Sequence, residues 1–143
     1  MHNSIILTVG KNQPQMTEGA LAAATQPGTC VQKNADGKLE ACAVDYTGLV
    51  AILMPNTLFG GDVRDELPSD EYGMAVLVQG DCDYAVRVTA AAGKALVEGT
   101  LLKFAATGEL VESADGANAR FSLREAHTFV AGALTVRLAV RKL

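Results

Sequence analysis

The sequence predicts a mainly β protein: a small β-barrel or β-sandwich with an extended N-terminal arm and at most one or two short helices. Three observations support this prediction. Apolar residues alternate with a two-residue period in several short segments, and turn residues separate these segments at short intervals. A chain of 143 residues suits one domain. We therefore expect residues 1–25 to form the arm and residues 26–143 to form a single β-domain with a long loop at residues 55–72.

The predicted arm has no sustained pattern. Residues 4–9 suit one short strand, residues 11–15 are polar, and residues 20–24 are small and apolar. A short helix and an extended arm are both compatible with this composition. The arm contains no aromatic side chain to anchor it, so we expect it to need a neighbouring surface that covers it.

The β-domain is predicted to begin with a hairpin. Residues 28–32 and 38–44 flank a turn in which Asp36 and Gly37 supply the positive φ angles that a tight hairpin needs. Further strands are predicted at residues 49–54, 74–79, 84–89, 100–104, 109–112 and 134–141, the last with the clearest two-residue period. The Ala-rich residues 90–95 are the one helix-like interruption after the arm.

One hairpin pattern occurs twice. Residues 27–39 match residues 98–110, with Gly99-Thr100 standing 71 positions after Gly28-Thr29. The Gly-Thr start, an Ala, the turn Gly and the following Leu all recur. Two copies are too few for a solenoid, so we interpret them as one hairpin used twice in a β-domain; the alternative is chance similarity between Gly-rich hairpins.

Residues 55–72 form a long segment without periodicity, which in a compact domain is usually functional or mobile. It carries apolar side chains that a solvated loop does not need. They could contact a partner or a neighbouring subunit, or they could fold back over the end of their own barrel. The candidate contact residues of this segment are Leu58, Phe59, Val63, Arg64, Leu67 and Tyr72.

The charge of the chain disfavours nucleic acid as a partner. The net charge is −4 and the sequence pI is near 5.1, so there is no basic footprint for a phosphate backbone. The distribution is uneven, because residues 1–119 carry a net charge of −8 and residues 120–143 one of +4. The basic end could serve head-to-tail subunit contacts or an acidic partner, or it could be a strand with solvated arginines.

No apolar run approaches the roughly 20 residues that span a bilayer, and the first residues do not suit a signal peptide. We therefore expect no membrane contact. Three cysteines fit a reducing compartment. Cys30 and Cys42 lie on the two strands of the first predicted hairpin, where a disulfide bridge is conceivable and two packed thiols are the commoner outcome.

Motifs for catalysis are missing from the sequence: there is no nucleophile elbow, zinc-binding HExxH, phosphate-binding glycine loop or EF-hand spacing. Carboxylates flank Cys82, which is the wrong electrostatic environment for a nucleophile. His2 and His127 have no evident carboxylate partner, and the acidic residues of the long loop fit no cation-binding template. We expect no enzyme, and no catalytic, cofactor-binding or metal-ligating residue; a small hydrolase lacks its nucleophile–base pair.

The layout of residues 39–112 resembles the decoration (cement) proteins of tailed-phage capsids. The likeness lies in the apolar strand at residues 49–54, the Gly60-Gly61-Asp62 loop, the acidic Tyr-bearing turn, and the strand pair at residues 74–79 and 84–89. It continues with the Ala-rich segment, Gly99-Thr100-Leu101-Leu102 and Gly108-Glu109-Leu110. The first hairpin and the closing strand also fit that layout.

The resemblance implies a non-enzymatic β subunit with an extended arm. Such a subunit would be made in the host cytoplasm and act in the virion, on the outer surface of the capsid. It would bind the major capsid protein, associate as a homotrimer at local threefold axes and stabilise the shell. The six loop residues named above would then be capsid or inter-subunit contacts. The alternative is a small ligand- or carbohydrate-binding β-module of a head fibre or tail, although scarce aromatics argue against a binding cleft.

Overall fold

The computed structural model describes residues 6–8, 15–56, 61–80, 82–131 and 136–141, the first and last of these segments by their backbone. All regular structure in these residues is β, which confirms the predicted fold class. The strands are β1 (Ile6–Thr8), β2 (Met16–Ala20), β3 (Cys30–Lys33), β4 (Leu39–Ala41), β5 (Ala51–Leu53), β6 (Tyr72–Leu77), β7 (Asp83–Arg87), β8 (Ala95–Leu96), β9 (Leu101–Phe104), β10 (Leu110–Glu112), β11 (Phe121–Leu123), β12 (His127–Thr128) and β13 (Val136–Arg141). The described residues include no helix long and apolar enough to cross a bilayer.

Five strands of the N-terminal half form a small barrel. Their order is β2-β6-β5-β3-β4, and all neighbours are antiparallel. The two outer strands meet through a parallel bridge between Leu21 and Leu39, where the Ala22 N–H donates to the Leu39 carbonyl at 2.8 Å. This contact closes the sheet on itself, so that strand edges are reduced.

Five strands of the C-terminal half form a second barrel with the same connectivity. Their order is β7-β13-β11-β9-β10, and β1 adds to the free side of β7. The outer strands again meet through a parallel bridge, here between Val88 and Leu110, and the Thr89 N–H donates to the Leu110 carbonyl at 2.8 Å. The short β8–β12 pair lies outside both sheets.

The two barrels repeat each other in register as well as in order. In the first, Ala51 lies opposite both Val31 and Leu77; in the second, Phe121 lies opposite both Leu102 and Arg141. The hairpin turns also match, because Gly37 and Gly108 have φ angles of 76° and 78°. The repeated hairpin of the sequence is thus one part of a repeated barrel.

The first barrel begins within the predicted arm. Strand β2 pairs with β6 along its whole length, from Met16 opposite Val76 to Ala20 opposite Tyr72. Residues 16–25 therefore belong to the folded body, which differs from the arm predicted for residues 1–25. The inward positions of β2 are Thr17 and Gly19, so the strand lacks the apolar alternation that would mark it in a sequence.

One outward-facing residue on each of strands β3, β5 and β6 is buried as well as the inward-facing ones. Because successive side chains of a strand point to opposite sides, one set faces the barrel interior and the other faces the second barrel. The interior set belongs to a cluster of Leu21, Val31, Leu39, Ala51, Leu53, Leu67 and Ala75. Cys30, Ile52 and Val76 belong instead to a larger cluster that includes the core of the second barrel. Three outward-facing residues of the first barrel therefore pack into the core of the second, while the interior of the first barrel forms a smaller cluster of its own.

Polar contacts also join the barrels. The Arg87 side chain is buried, and its Nε and Nη2 atoms donate to the carbonyls of Pro27 at 2.8 Å and Val63 at 2.5 Å. On the hairpin of the second barrel, the Gly108 carbonyl accepts from the Cys30 N–H at 3.0 Å. We call this contact region between the two barrels the seam. It includes close backbone-to-backbone contacts as well as apolar packing.

Candidate interaction surface

Two of the six predicted contact residues lie inside the protein. Val63 is fully buried in the large core cluster, and Leu67 is buried in the smaller one. The backbone of Leu67 also exchanges two hydrogen bonds of 2.9 Å with Thr25. This corrects the prediction for these two residues: at this point the loop folds back over its own barrels, and neither side chain is open to a partner.

Leu58 and Phe59 lie outside the described residues. The residues on either side of them are joined, since the Gly61 N–H donates to the Asn56 carbonyl at 2.9 Å. The Asn56 amide in turn donates to the Glu71 carboxylate at 3.1 Å. These bonds fix the base of the loop beside the start of β6.

Arg64 is exposed and lies in a turn that is stabilised by hydrogen bonds among its own residues. Its Nε donates to Oδ2 of Asp62 at 3.1 Å, and its backbone N–H donates to Oδ1 at 2.7 Å. The Asp62 N–H donates to the Asp65 carboxylate at 2.8 Å. The hydrogen bonds from the Arg64 guanidinium, followed by that from its backbone, lower the pKa of Asp62. Arg64 is thus available at the surface as part of a preformed turn.

Tyr72 belongs to an exposed apolar surface that we call the β2–β6 face. Directly opposite residues of an antiparallel pair share a face, and here Met16, Glu18, Ala20, Tyr72 and Met74 share one. Tyr72 is 62% exposed, Met74 46% and Met16 39%. Partial burial, followed by the charge of Glu18, raises the pKa of Tyr72. The face is an exposed, largely apolar patch around one carboxylate.

The structure groups Tyr72 with two residues that the sequence analysis did not single out. The alternation of Tyr72 and Met74 along β6 is a signal that could have placed both on one face. Met16 carried no such signal, because it becomes part of the face only through the pairing of β2 with β6. Other exposed apolar side chains, such as Val130 on the β8–β12 side, lie outside this face.

A second surface feature is an acidic cleft where the two barrels meet. Its volume is about 410 Å³. Its polar lining consists of Thr25, Gln26, Thr29, Glu40, Glu66, Thr107 and Glu109. The Glu40 carboxylate accepts hydrogen bonds from the side-chain amides of Gln32 at 3.2 Å and Asn34 at 3.4 Å. In the described part of the chain no three His, Cys, Asp or Glu side chains are grouped so as to hold a metal ion.

Two arginines of the basic C-terminal segment form hydrogen bonds or ion pairs with other residues of the chain. Arg120 donates through Nη1 to the Tyr46 carbonyl at 2.5 Å and through Nη2 to the Gly48 carbonyl at 3.1 Å. Arg124 lies 3.4 Å from a carboxylate oxygen of Asp83. Arg120 therefore ties the second barrel to the loop after β4, whereas Arg124 pairs with a carboxylate of its own barrel.

Cys30, Cys42 and Cys82 are buried, and none of the three forms a disulfide. Cys30 and Cys42 are neighbours across the first hairpin, since the Cys42 N–H donates to the Cys30 carbonyl at 3.0 Å. Burial raises the pKa of Cys42 to about 12 and raises that of Cys30 as well. Both thiols are therefore neutral packing groups, and neither has the electrostatic environment of a nucleophile.

These thiols make stability decrease at alkaline pH. In the unfolded chain a thiol titrates near 9.0, whereas folded Cys42 keeps its proton until about 12. Ionisation then favours the unfolded state from pH 9 upward, at a limiting slope of about 1.4 kcal/mol per pH unit for each such thiol. Urea unfolding between pH 8 and 10.5 should show a smaller decrease for Cys42→Ala than for the wild type. Equal decreases would contradict this origin.

No protein-family model matches the chain, and a search of curated proteins found no sequence with significant similarity to it.

Proposed function

We propose that this chain is a non-enzymatic capsid decoration protein of a tailed phage. It binds the outer surface of the assembled head as a homotrimer and stabilises contacts between major capsid protein subunits. The β2–β6 face is the observation that supports this most directly. It adds to the resemblance of residues 39–112 to decoration proteins and to the all-β fold.

The composition of the β2–β6 face suits a protein partner. Met and Tyr are enriched in protein interfaces, where they supply large contact areas, and Tyr72, Met74 and Met16 provide three such side chains on one strand pair. Because the pair is held in a closed barrel, docking costs little ordering entropy. Glu18 lies between them, so the complementary surface should offer a basic side chain or a hydrogen-bond donor.

The proposal is tested on capsids that lack this protein. Adding the purified chain should restore resistance of the capsids to heat or low salt, and the chain should co-sediment with them. In solution or on release from the capsid, its mass should be three times 14.9 kDa. Absence of binding to such capsids would overturn the proposed function.

Met74→Lys should weaken capsid binding by at least about ten-fold, because a charged side chain in the middle of an apolar contact loses more than about 1.4 kcal/mol of binding free energy. The matched control is Val130→Lys, which places the same residue at a site that is 65% exposed on another surface. Both variants should unfold at the wild-type temperature within a few degrees. Capsid binding by Met74→Lys at the level of Val130→Lys would exclude this face as the contact.

A further inference from the structure

Among the described residues, one end of the first barrel is open. A cavity of about 350 Å³ lies there, within the range of small-molecule pockets. Four strands line it, through Thr17 from β2, Lys33 from β3, Ala51 from β5 and Leu77 from β6. Deeper in the barrel, Val31 and Leu39 form an apolar floor.

The second barrel shows what the same space holds when it is filled. Thr17 and Tyr84 occupy equivalent positions, since one lies opposite Ala75 and the other opposite Ala139. Lys33 opposite Leu39 corresponds to Phe104 opposite Leu110. Ala51 opposite Val31 corresponds to Phe121 opposite Leu102. Three aromatic rings of one barrel are therefore replaced by a hydroxyl, an ammonium and a methyl group in the other.

The rings of the second barrel are in close contact. Tyr84, Phe104 and Phe121 are buried, and the Phe104 and Phe121 rings pack edge to face with centroids 6.3 Å apart. The Tyr84 hydroxyl also accepts from the Gln79 N–H at 2.8 Å. This end of the second barrel is closed by its own side chains, whereas the equivalent end of the first has room for aromatic groups from elsewhere.

The wall of the open barrel is held in place. Tyr46 and Leu49 line it from the loop after β4, and the Tyr46 hydroxyl donates to the Leu49 carbonyl at 2.9 Å. Arg120 of the second barrel fixes the same loop through its bonds to the carbonyls of Tyr46 and Gly48. The cavity is therefore preformed, which lowers the free-energy cost of binding.

We propose that the mouth of the first barrel is a binding pocket for a small acid whose apolar part is an aromatic ring. The ring would lie on Val31, Leu39, Ala51 and Leu77, where the second barrel places its own rings. The acid group would lie at the rim beside Lys33. In the described part of the chain Lys33 has no carboxylate within ion-pair distance, so its charge is available for a ligand.

The test uses the isolated chain, so it is independent of the capsid proposal. Three probes share one ring and differ in charge: 4-phenylbutyrate, 4-phenylbutyramide and 4-phenylbutylamine. Titration followed by NMR should give binding in the order acid, amide, amine, with shifts at the methyl groups of Val31, Leu39 and Ala51. Lys33→Gln should remove the preference for the acid over the amide, a factor of about two to five for an exposed ion pair. Equal binding of the amine and the acid to the wild type would overturn the proposed ligand class.

Ala51→Phe copies the second barrel and should fill the pocket. We expect binding of all three probes to decrease at least ten-fold, while Val97→Phe, which adds a ring at an exposed site outside the pocket, leaves binding unchanged. Thr17→Tyr copies the second barrel at another position and replaces Ala51→Phe if that variant does not fold. Unchanged binding in a folded filled variant would overturn the pocket.

Discussion

Gly108→Ala should destabilise the protein by about 2–5 kcal/mol. The φ angle of Gly108 is +78°, a left-handed conformation that costs an L-residue about 1–2 kcal/mol. A Cβ atom at this position would also lie 2.6 Å from the Cys30 carbonyl oxygen and 2.8 Å from Cγ2 of Thr29. Both neighbours belong to the other barrel and one is backbone, so the seam must open, which costs a further 1–3 kcal/mol or so.

The repeat supplies the control for this prediction. Gly37 occupies the equivalent turn position with a φ angle of +76°, but nothing lies within 4 Å of its Cβ position. Gly37→Ala should therefore cost only the backbone part, about 1–2 kcal/mol. Urea unfolding of both variants gives the difference directly. If the two variants lost equal stability, the seam would not be closely packed at Gly108.

Arg87→Met should cost about 2–4 kcal/mol. The Arg87 guanidinium is buried, and burial lowers its pKa, yet it makes two charge-assisted hydrogen bonds to the carbonyls of Pro27 and Val63. Methionine keeps much of the side-chain volume and removes both donors, so two buried carbonyl oxygens lose these partners. The variant also releases the loop at Val63 from the second barrel.

Arg64→Met is the matched control, because it removes the same group from the surface. The Arg64 guanidinium pairs with Asp62 in an exposed turn, where an ion pair contributes about 0–1 kcal/mol. Thermal or urea unfolding should therefore separate the two arginines clearly. A loss below about 1 kcal/mol for Arg87→Met would mean that water replaces the guanidinium at the seam.

The hairpins could be predicted from the sequence because glycines mark their tight turns. Gly37 and Gly108 adopt positive φ angles. Of the strands that flank them, β4, β9 and β10 lie within the predicted segments, and β3 extends one residue beyond its segment, to Lys33. The sequence did not reveal β2, because Thr17 and Gly19 face the barrel interior without apolar side chains. An apolar loop residue such as Val63 is equally suited to a partner or to its own core, and only the tertiary structure decides between them.

The scarcity of aromatic residues in the sequence argues against a binding cleft. The structure gives their distribution as well as their number. The buried rings among the described residues, Tyr84, Phe104, Phe121 and Phe129, all lie in the second half of the chain. The positions of the aromatic residues can be read from the sequence. Which of them fill a barrel interior, and which residues replace them in the other barrel, follows only from the strand register of the repeat.

The first barrel is supported from outside as well as from its own small interior cluster, because Cys30, Ile52 and Val76 pack into the core of the second barrel. Local opening is expected to begin in the part with less buried apolar contact, while the ring-filled barrel keeps its structure. We therefore expect larger side chains to be accommodated in the interior of the first barrel at a lower cost in stability than in the ring-filled interior of the second.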